Sequence, residues 1–352
     1  MFKGHSDTEV ILHLYEEYGL EETLKRLDGM FAICLCDKRL QTVYLIRDRI
    51  GEKPLYYYQK GDLFLFASEY KAFYCHPEFE AKLNKANLDE YFLFRYVSAN
   101  NTLLEGVKNM SPVHYFEITT SGLKDVEYWT IPYYEENKMS FEENKKQLAD
   151  LIDKSVKRRL ISDVPVGIQL SGGVDSSYLA HVVKKYFCEP LHTFGIIFDN
   201  GFYSEEKYID EVNLKLKTES HKYLFGSSEF LETWKKGTWY FEAPMNHEGT
   251  LALYMLNKRA KDHVTVMLCG DGPDEILEGY GRFVLTEAEL KHPIFNGFLR
   301  HIFSYFRGKP YRSNIVDSYI SQIQLISDKS FNKIRPNSGT DSIKQVYNKR
   351  HV

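Results

Sequence analysis

The spacing of apolar residues in the first 130 positions indicates two short helices followed by a series of strands. Val10, Ile11, Leu14 and Tyr15 recur at the spacing of one helical face. Helices are predicted over Thr8–Tyr18, Glu21–Leu27 and Leu88–Phe94, and strands over Met30–Cys36, Thr42–Ile46, Pro54–Gln59, Leu63–Ala67 and Val113–Ile118. Because short turns separate most of these strands, the pattern favours a sheet built in hairpin order with a few helices.

The pattern changes after Ile131–Ser140, a stretch without periodicity that we interpret as a linker. Beyond it, apolar runs of strand length alternate with longer helical segments, which is typical of a parallel sheet with crossover helices. Strands are predicted over Val166–Leu170, Leu191–Phe198, His221–Phe225 and Val264–Leu268, and helices around Leu148–Leu160, from Val174, and over Glu205–Lys217, Glu229–Tyr240, Thr250–Lys261 and beyond Phe283. We predict domains at residues 1–130 and 143–352, with the linker at 131–142.

Composition narrows the class of protein. The chain has 352 residues, of which 43% are hydrophobic and 27% charged, as in globular proteins of two domains. Its net charge of −4 argues against a nucleic-acid binder. No apolar run reaches the length of a membrane span and the first residues lack a signal peptide, so we expect a cytoplasmic protein.

The cysteines indicate a reducing compartment, because the chain has only five of them. Cys34 and Cys36 lie two apart on a predicted strand and therefore face the same side of it. We interpret them as a buried core pair, since no second cluster supports a metal site.

The segment Leu170–Ser177 (LSGGVDSS) lies between a predicted buried strand and a predicted helix. Gly172 and Gly173 allow a sharp turn whose N–H groups can approach an anion, and the helix N-terminus adds positive partial charge. Asp175 suits such a site only if a cation lies between it and the anion, and Mg²⁺ is the natural one. The alternative is a Ser/Gly-rich turn in which Asp175 only complements the helix dipole. The specificity of the string favours a phosphate loop, although it is not a Walker A loop.

This string resembles the signature of the PP-loop ATP pyrophosphatases, which cleave ATP between its α and β phosphates. A second motif, Cys269–Glu275 (CGDGPDE) followed by Gly279-Tyr280, resembles an element of the asparagine synthetases. Taken alone, the second motif is also compatible with a solvated acidic turn. Its place at a second strand end favours the functional interpretation.

Other segments resemble the same family, glutamine-dependent asparagine synthetase, in the same order. They are Ser6–Leu12, Leu27–Ala32, Arg47–Leu55, Ala67–Ala72 and Ser162–Gly167. The resemblance implies an α/β chain. Its first domain would be a partial N-terminal-nucleophile glutaminase domain, an α+β sandwich, and its second a doubly wound parallel-sheet PP-loop ATP pyrophosphatase domain.

Roles follow from motif position. The resemblance implies ATP binding by Leu170, Ser171, Gly172, Gly173, Asp175, Ser176, Ile196, Cys269 and Gly270. It implies Asp175 and Asp274 as Mg²⁺ ligands, and Asp271 and Glu275 as catalytic residues. Asp7 matches the acid that holds the α-amino group of glutamine, and it also suits a helix N-cap.

Several positions depart from the family. Asp271 stands where the family has Glu, which withdraws the carboxylate by about one methylene. Pro273 and Glu278 are further departures. Phe2 follows Met1, whereas the family's glutaminase nucleophile is an N-terminal cysteine activated by its own amine. We therefore expect both ends of the family's chain, including a later lysine-bearing segment, to be missing here.

Three interpretations stay open. The first is amide formation from aspartate, ATP and ammonia or glutamine, and the second is the same chemistry on another carboxylic acid. The third is an ATP-binding module without catalysis. The expected partners are small molecules, and the chain is a possible homodimer.

Overall fold

The computed structural model describes residues 2–132, 137–187, 189–198, 205–245 and 247–281, with Phe283, Phe331 and Lys333. The chain divides into two compact units, Met1–Glu135 with Gln324–Val352, and Glu136–Ile323. The predicted domain limits stay a prediction. The predicted helical segment beyond Phe283 and the predicted incomplete C-terminal end lie outside the described residues.

The first unit combines helices with antiparallel strands. Its helices are α1 (Asp7–Arg26), a 3₁₀ helix (Tyr70–Cys75) and α2 (Lys85–Phe94), and its strands are β1 (Ala32–Asp37), β2 (Thr42–Arg47), β3 (Tyr56–Lys60), β4 (Leu63–Ala67), β5 (Val107–Asn109), β6 (His114–Thr119) and β7 (Gly122–Glu127). One sheet has the order β1-β2-β6-β7 and the other β4-β3-β5, with every pairing antiparallel. The predicted mixture of hairpins and helices is confirmed.

The helix α1 contains a break that the sequence pattern predicted. Gly19 has φ 73° and ψ 177°, so the two helical segments meet at a kink. The helix packs Leu24 into a core with Leu35, Tyr44 and Ile46 of the sheet. Leu24 and Ile46 are each only 1% exposed, which makes this packing a main source of stability in the unit.

A buried aspartate side chain organises the loop after β2. The side chain of Asp48 is fully buried and accepts hydrogen bonds from the backbone N–H groups of Ile50 (3.2 Å), Glu52 (2.9 Å) and Lys53 (2.9 Å). The neighbouring Arg47 donates to the backbone carbonyl of Lys53 at 3.0 Å. These contacts satisfy a charge that would otherwise be costly to bury, so the Arg47–Leu55 segment has a clear structural function.

The second unit is the α/β part of the chain. Its helices are α3 (Phe141–Arg159), α4 (Val174–Lys184), α5 (Glu206–Leu216), α6 (Ser227–Phe241), α7 (Glu248–Ala260) and α8 (Pro273–Ile276), and its strands are β8 (Val166–Gln169), β9 (His192–Phe198), β10 (Glu219–Phe225) and β11 (Val266–Leu268). All pairings between these strands are parallel, in the order β10-β9-β8-β11. The predicted parallel sheet with crossover helices is confirmed.

The strand order reverses at β8. The chain passes from β8 to β9 and β10 on one side, and then returns to place β11 on the other side of β8. A doubly wound sheet binds ligands at the carboxyl ends of the strands where its order reverses. The loops after β8 and β11 occupy that position here. The core beneath them includes the fully buried Ile168 and Leu170.

Two interpretations of single residues were wrong. Cys34 and Cys36 are both exposed, because β1 turns the alternate residue Leu35 toward the core. Ser6 is the N-cap of α1, with its hydroxyl accepting the N–H of Thr8 at 3.2 Å. Asp7 is instead the first helical residue, and its Oδ1 also accepts the Thr8 N–H, at 2.7 Å.

Among the described helices, none is both long and apolar enough to cross a membrane.

Candidate nucleotide site

The segment Leu170–Ser177 forms the predicted turn between β8 and α4. Gly173 is the N-cap of α4, and it supplies no side-chain hydrogen bond to the first turn. The first N–H groups of a helix have no acceptor within the helix, so an uncapped first turn is available to an anion. The loop therefore has the backbone geometry of a phosphate site.

Hydroxyl groups hold the loop in shape. The Oγ atoms of Ser171 and Ser176 lie 3.0 Å apart, and the backbone N–H of Ser171 donates to Ser176 Oγ at 3.3 Å. The backbone N–H of Gly173 donates to Ser171 Oγ at 3.3 Å. Ser177 Oγ is buried and has no hydrogen-bond partner in the described part of the chain. Ser171 and Ser176 thus preorganise the turn before any ligand binds.

Gly172 is required by both conformation and space. Its φ is +88°, a value that other residues rarely adopt. A Cβ at this position would lie 2.9 Å from Cβ of Tyr208 and 3.1 Å from the backbone N of Ile209, at the start of α5. Since neither neighbour is the end of a flexible side chain, the loop and α5 can only approach this closely with glycine here.

The second motif lies against the first turn of α4. A Cβ added to Gly270 would lie 3.0 Å from the backbone N of Ser176 and 3.2 Å from the carbonyl carbon of Asp175. The parallel pairing of β11 with β8 brings the two strand ends side by side. The two motifs that the sequence separates are therefore neighbours in the fold.

The two motifs enclose a small polar cavity of about 100 Å³. It is lined by Gln169, Ser171, Gly173, Asp175, Ser176, Gly270 and Asp271. Two acidic residues, Asp175 and Asp271, thus border the cavity together with the two serines of the loop. The cavity is smaller than a typical site for a whole drug-sized ligand, and it suits a phosphate group with its cation.

Two predicted nucleotide residues lie deeper in the sheet. Leu170 is fully buried, so only its backbone can reach a ligand. Ile196, on β9, is partly buried and packs against the core formed around Phe225 and Leu251. Their assignment to the adenine or ribose pocket stays a prediction.

Cys269 begins the second motif, and its surroundings affect the pKa of its thiol. Although the residue is exposed, the protein atoms around the sulfur desolvate the thiolate, and the Asp271 carboxylate accepts a hydrogen bond from the thiol. Both effects raise the pKa of Cys269.

The remaining acids of the second motif lie on α8. Glu275 accepts a hydrogen bond from the hydroxyl of Tyr280 at 2.7 Å. The backbone N–H of Gly279 donates to the backbone carbonyl of Asp274 at 2.9 Å. Neither Asp274 nor Glu275 is among the residues that line the cavity. Their roles as metal ligand and catalytic residue stay predictions.

Two residues at the site had no predicted role. Gln169, the last residue of β8, lines the cavity, and Tyr280 positions Glu275. The sequence could have indicated Gln169, because it lies directly before the loop. It could also have indicated Tyr280, because this residue belongs to the second motif. Asp7 belongs to the other unit and lies in the first turn of α1.

Two family models match separate parts of the chain. The family model described as a glutamine amidotransferase domain matches residues 1–129, and the one described as asparagine synthase matches residues 147–326. A solved structure, the NH3-dependent NAD synthetase from Campylobacter jejuni, is 18% identical, with coverage of 41% of this chain and 62% of that chain. Its TM-score is 0.27, which is too low to support an argument.

Curated relatives are closer. Asparagine synthetase [glutamine-hydrolyzing] 1 of Bacillus subtilis is 36% identical over 283 residues, covering 79% of this chain and 44% of that protein. Asparagine synthetase [glutamine-hydrolyzing] 2 of the same organism is 35% identical over 323 residues, covering 86% of this chain and 42% of that protein. The chain spans about half the length of the curated relatives it matches. It belongs to the family of glutamine-hydrolysing asparagine synthetases.

Proposed function

We propose that the second unit binds ATP at the Ser171–Ser177 loop and uses it to activate a carboxylic acid, which ammonia then converts to an amide. The observation that carries this proposal is the shared cavity of the two motifs, bordered by Asp175 and Asp271. The names of the relatives support aspartate as the acid and asparagine as the product.

The phosphate end of ATP fits the loop. The uncapped first turn of α4 offers N–H donors, and the Ser171 and Ser176 hydroxyls lie within the same turn. Both groups favour a negatively charged ligand. The buried strands beneath keep the turn rigid, which is what a binding site needs to hold phosphate in one orientation.

The residues present also fit Mg²⁺. Two carboxylates beside a phosphate site would repel the ligand unless a cation came between them, and hard oxygen donors are the ligands that Mg²⁺ prefers. Asp175 would hold the ion. Asp274, on α8, is the further ligand implied by the family. When bound, the ion would neutralise the pyrophosphate that leaves.

The proposed reaction has two steps, adenylation of the acid and formation of the amide. An oxygen of the acid's carboxylate attacks the α-phosphorus of ATP, so that the bond to pyrophosphate breaks and an acyl-adenylate forms. Ammonia then attacks the acyl carbon, AMP leaves, and the amide remains after loss of a proton. Asp271 and Glu275 are the carboxylates proposed to take part in these steps. Asp271 is exposed at the cavity, where an incoming amine could reach it.

The test is ammonia-dependent release of AMP and pyrophosphate with aspartate and a panel of other carboxylic acids. Turnover with aspartate supports the proposal, whereas turnover with another acid alone would favour the second interpretation. Mg-ATP binding without turnover on any acid would leave a binding module. Asp163→Asn, an exposed acid outside the cavity, is the control for Asp175→Asn.

The nitrogen source and the assembly need separate measurements. Supplying glutamine in place of ammonia tests which nitrogen source the chain can use. Light scattering tests the proposed homodimer.

A further inference from the structure

Three histidines from separate stretches of the second unit come together at one place. They are His192, the first residue of β9, His221 on β10, and His263 between α7 and β11. One nitrogen of each ring lies within 4.8 Å of the corresponding nitrogens of the other two. This cluster is distant along the strands from the phosphate loop, because it occupies the amino-terminal ends of the strands and the loop follows their carboxyl ends.

Two of the rings already direct nitrogen atoms at each other. Nδ1 of His192 and Nε2 of His221 are 3.0 Å apart. A zinc ion with bonds of about 2.0–2.1 Å to each would need these nitrogens only slightly further apart. In the absence of an ion, one ring nitrogen donates its hydrogen to the lone pair of the other.

A carboxylate lies beside two of the three histidines. Oε1 of Glu219 lies 3.7 Å from Nδ1 of His192 and 3.6 Å from Nε2 of His221. It lies near one nitrogen of each of these two rings, so it can offset the positive charge of a bound ion. Glu219 and His221 stand two apart on β10 and therefore share a face of the strand.

His263 provides the third ligand and a route of entry. The residue is exposed, and its ring centroid is 4.1 Å from that of His221. It follows the C-terminus of α7, where the helix dipole favours positive charge. An ion can thus arrive from solvent at His263 and reach the two partly buried rings behind it.

Packing also accounts for part of this arrangement. The ring of His221 stacks on the fully buried Phe194, with centroids 4.9 Å apart and planes 14° from parallel. Stacking fixes the ring plane of His221 but does not explain why the nitrogens of three imidazoles converge. Imidazole nitrogens suit ions such as Zn²⁺, Ni²⁺ and Cu²⁺, whereas Mg²⁺ prefers oxygen ligands.

We propose that His192, His221 and His263 form a transition-metal site, with Zn²⁺ as its ion, that fastens the crossover from α7 to β11 onto the amino-terminal ends of β9 and β10. The site would be structural, since it lies at the edge of the sheet opposite the phosphate loop. It stands independently of the proposed function. Its effect would be to stabilise the segment that leads into β11, the strand that carries the second motif.

The test uses the full chain after removal of metal with a chelator. Equilibrium dialysis against Zn²⁺, followed by metal analysis, should find one equivalent bound, and added zinc should raise the melting temperature reversibly. Co²⁺ should give the visible absorption of a low-symmetry nitrogen site. Mg²⁺ should not raise the melting temperature by binding at this cluster.

Variants identify the ligands. His263→Ala should weaken zinc binding at least about tenfold, because even the residues behind metal ligands typically contribute 10–100-fold. His263 is exposed, so this variant should keep the melting temperature of the metal-free parent. His221→Gln tests a second ligand, and His181→Ala, an exposed histidine on α4, is the matched control that should bind as the parent does.

Two outcomes would overturn the proposal. One is the absence of zinc binding above that of the triple variant His192→Ala, His221→Ala, His263→Ala. The other is binding by His263→Ala as tight as that of the parent, which would place the ion elsewhere. Neither outcome involves ATP or amide formation, so the zinc result and the proposed function can fail separately.

Discussion

The backbone of Gly270 lies against the first turn of α4, so that a Cβ there would come within 3.0 Å of the backbone N of Ser176. That N–H belongs to the turn that we propose binds phosphate. The second motif is thus in contact with the loop through backbone atoms, which cannot move aside as a flexible side chain can. The position of Asp271 relative to Asp175 depends on this contact.

Gly270→Ala should weaken Mg-ATP binding. The added methyl group must push the second motif away from α4, and overpacking of this kind costs about 1–3 kcal/mol. We therefore expect a loss of affinity of about fivefold or more in calorimetry. Gly281→Ala is the control, because a Cβ at that glycine would meet nothing within 4 Å. Equal affinity in Gly270→Ala and the parent would contradict the proposed arrangement.

Asp175→Asn tests the cation. The carboxylate should favour ATP only when Mg²⁺ lies between the two, so the variant should bind Mg-ATP more weakly than the parent and metal-free ATP about equally. Calorimetry at fixed ionic strength, with and without Mg²⁺, measures the difference. If Asp175→Asn binds Mg-ATP as tightly as Asp163→Asn does, Asp175 has no part in holding the ion.

Asp48→Ala should destabilise the first unit. The substitution removes the acceptor of several part-buried backbone N–H groups, those of Ile50, Glu52 and Lys53 among them. Each hydrogen bond contributes about 0.5–1.5 kcal/mol net, so a total loss of about 1.5 kcal/mol or more is expected for the three. Urea unfolding measures it, with Asp62→Ala in the exposed β3–β4 turn as control. A loss below about 1 kcal/mol would show that the loop relaxes around the missing carboxylate.

The contact between Tyr15 and Asp37 should make stability depend on pH. The backbone N–H of Leu40, together with the Tyr15 hydroxyl at 2.8 Å, holds the pKa of Asp37 below its ordinary value. The folded state therefore favours the ionised form. This contribution is complete above the unfolded-state pKa of about 3.9 and is lost as pH falls through the lower folded value.

Comparison with Asp37→Asn isolates that contribution. The parent should melt at a higher temperature than the variant at pH 7, and the gap should narrow as pH falls below about 4. Other carboxylates titrate in both proteins and cancel in the difference. A gap of the same size at pH 7 and pH 3 would show that the charge of Asp37 does not contribute.

The sequence alone determined the features that depend on neighbouring residues. The apolar periodicities predicted the hairpins of the first unit and the alternating strands and helices of the second. The Gly-Gly pair with its serines predicted the turn at the phosphate loop, since φ at Gly172 and the uncapped helix are local properties. The two motifs were also sufficient to indicate the family.

The tertiary structure decided what depends on partners far apart in the chain. β7 (Gly122–Glu127) has only Leu123 and Val126 as apolar residues, and its pairing with β6 makes it a strand. Cys34 and Cys36 read as core residues, but helix α1 covers the other face of β1. Alternation reveals which residues share a face, and only the partner elements decide which face is buried.

The relation between distant motifs has the same origin. Nothing in the spacing of residues orders the strands β10-β9-β8-β11, and it is this order that brings Gly270 to Ser176 at one edge of the sheet. At the other edge it brings His192 and His221 together, while the path of the chain after α7 adds His263. Periodicity and turn preferences act over a few residues, whereas the strand order results from pairing and packing between segments far apart in the chain, so these two sites emerge only in the folded chain.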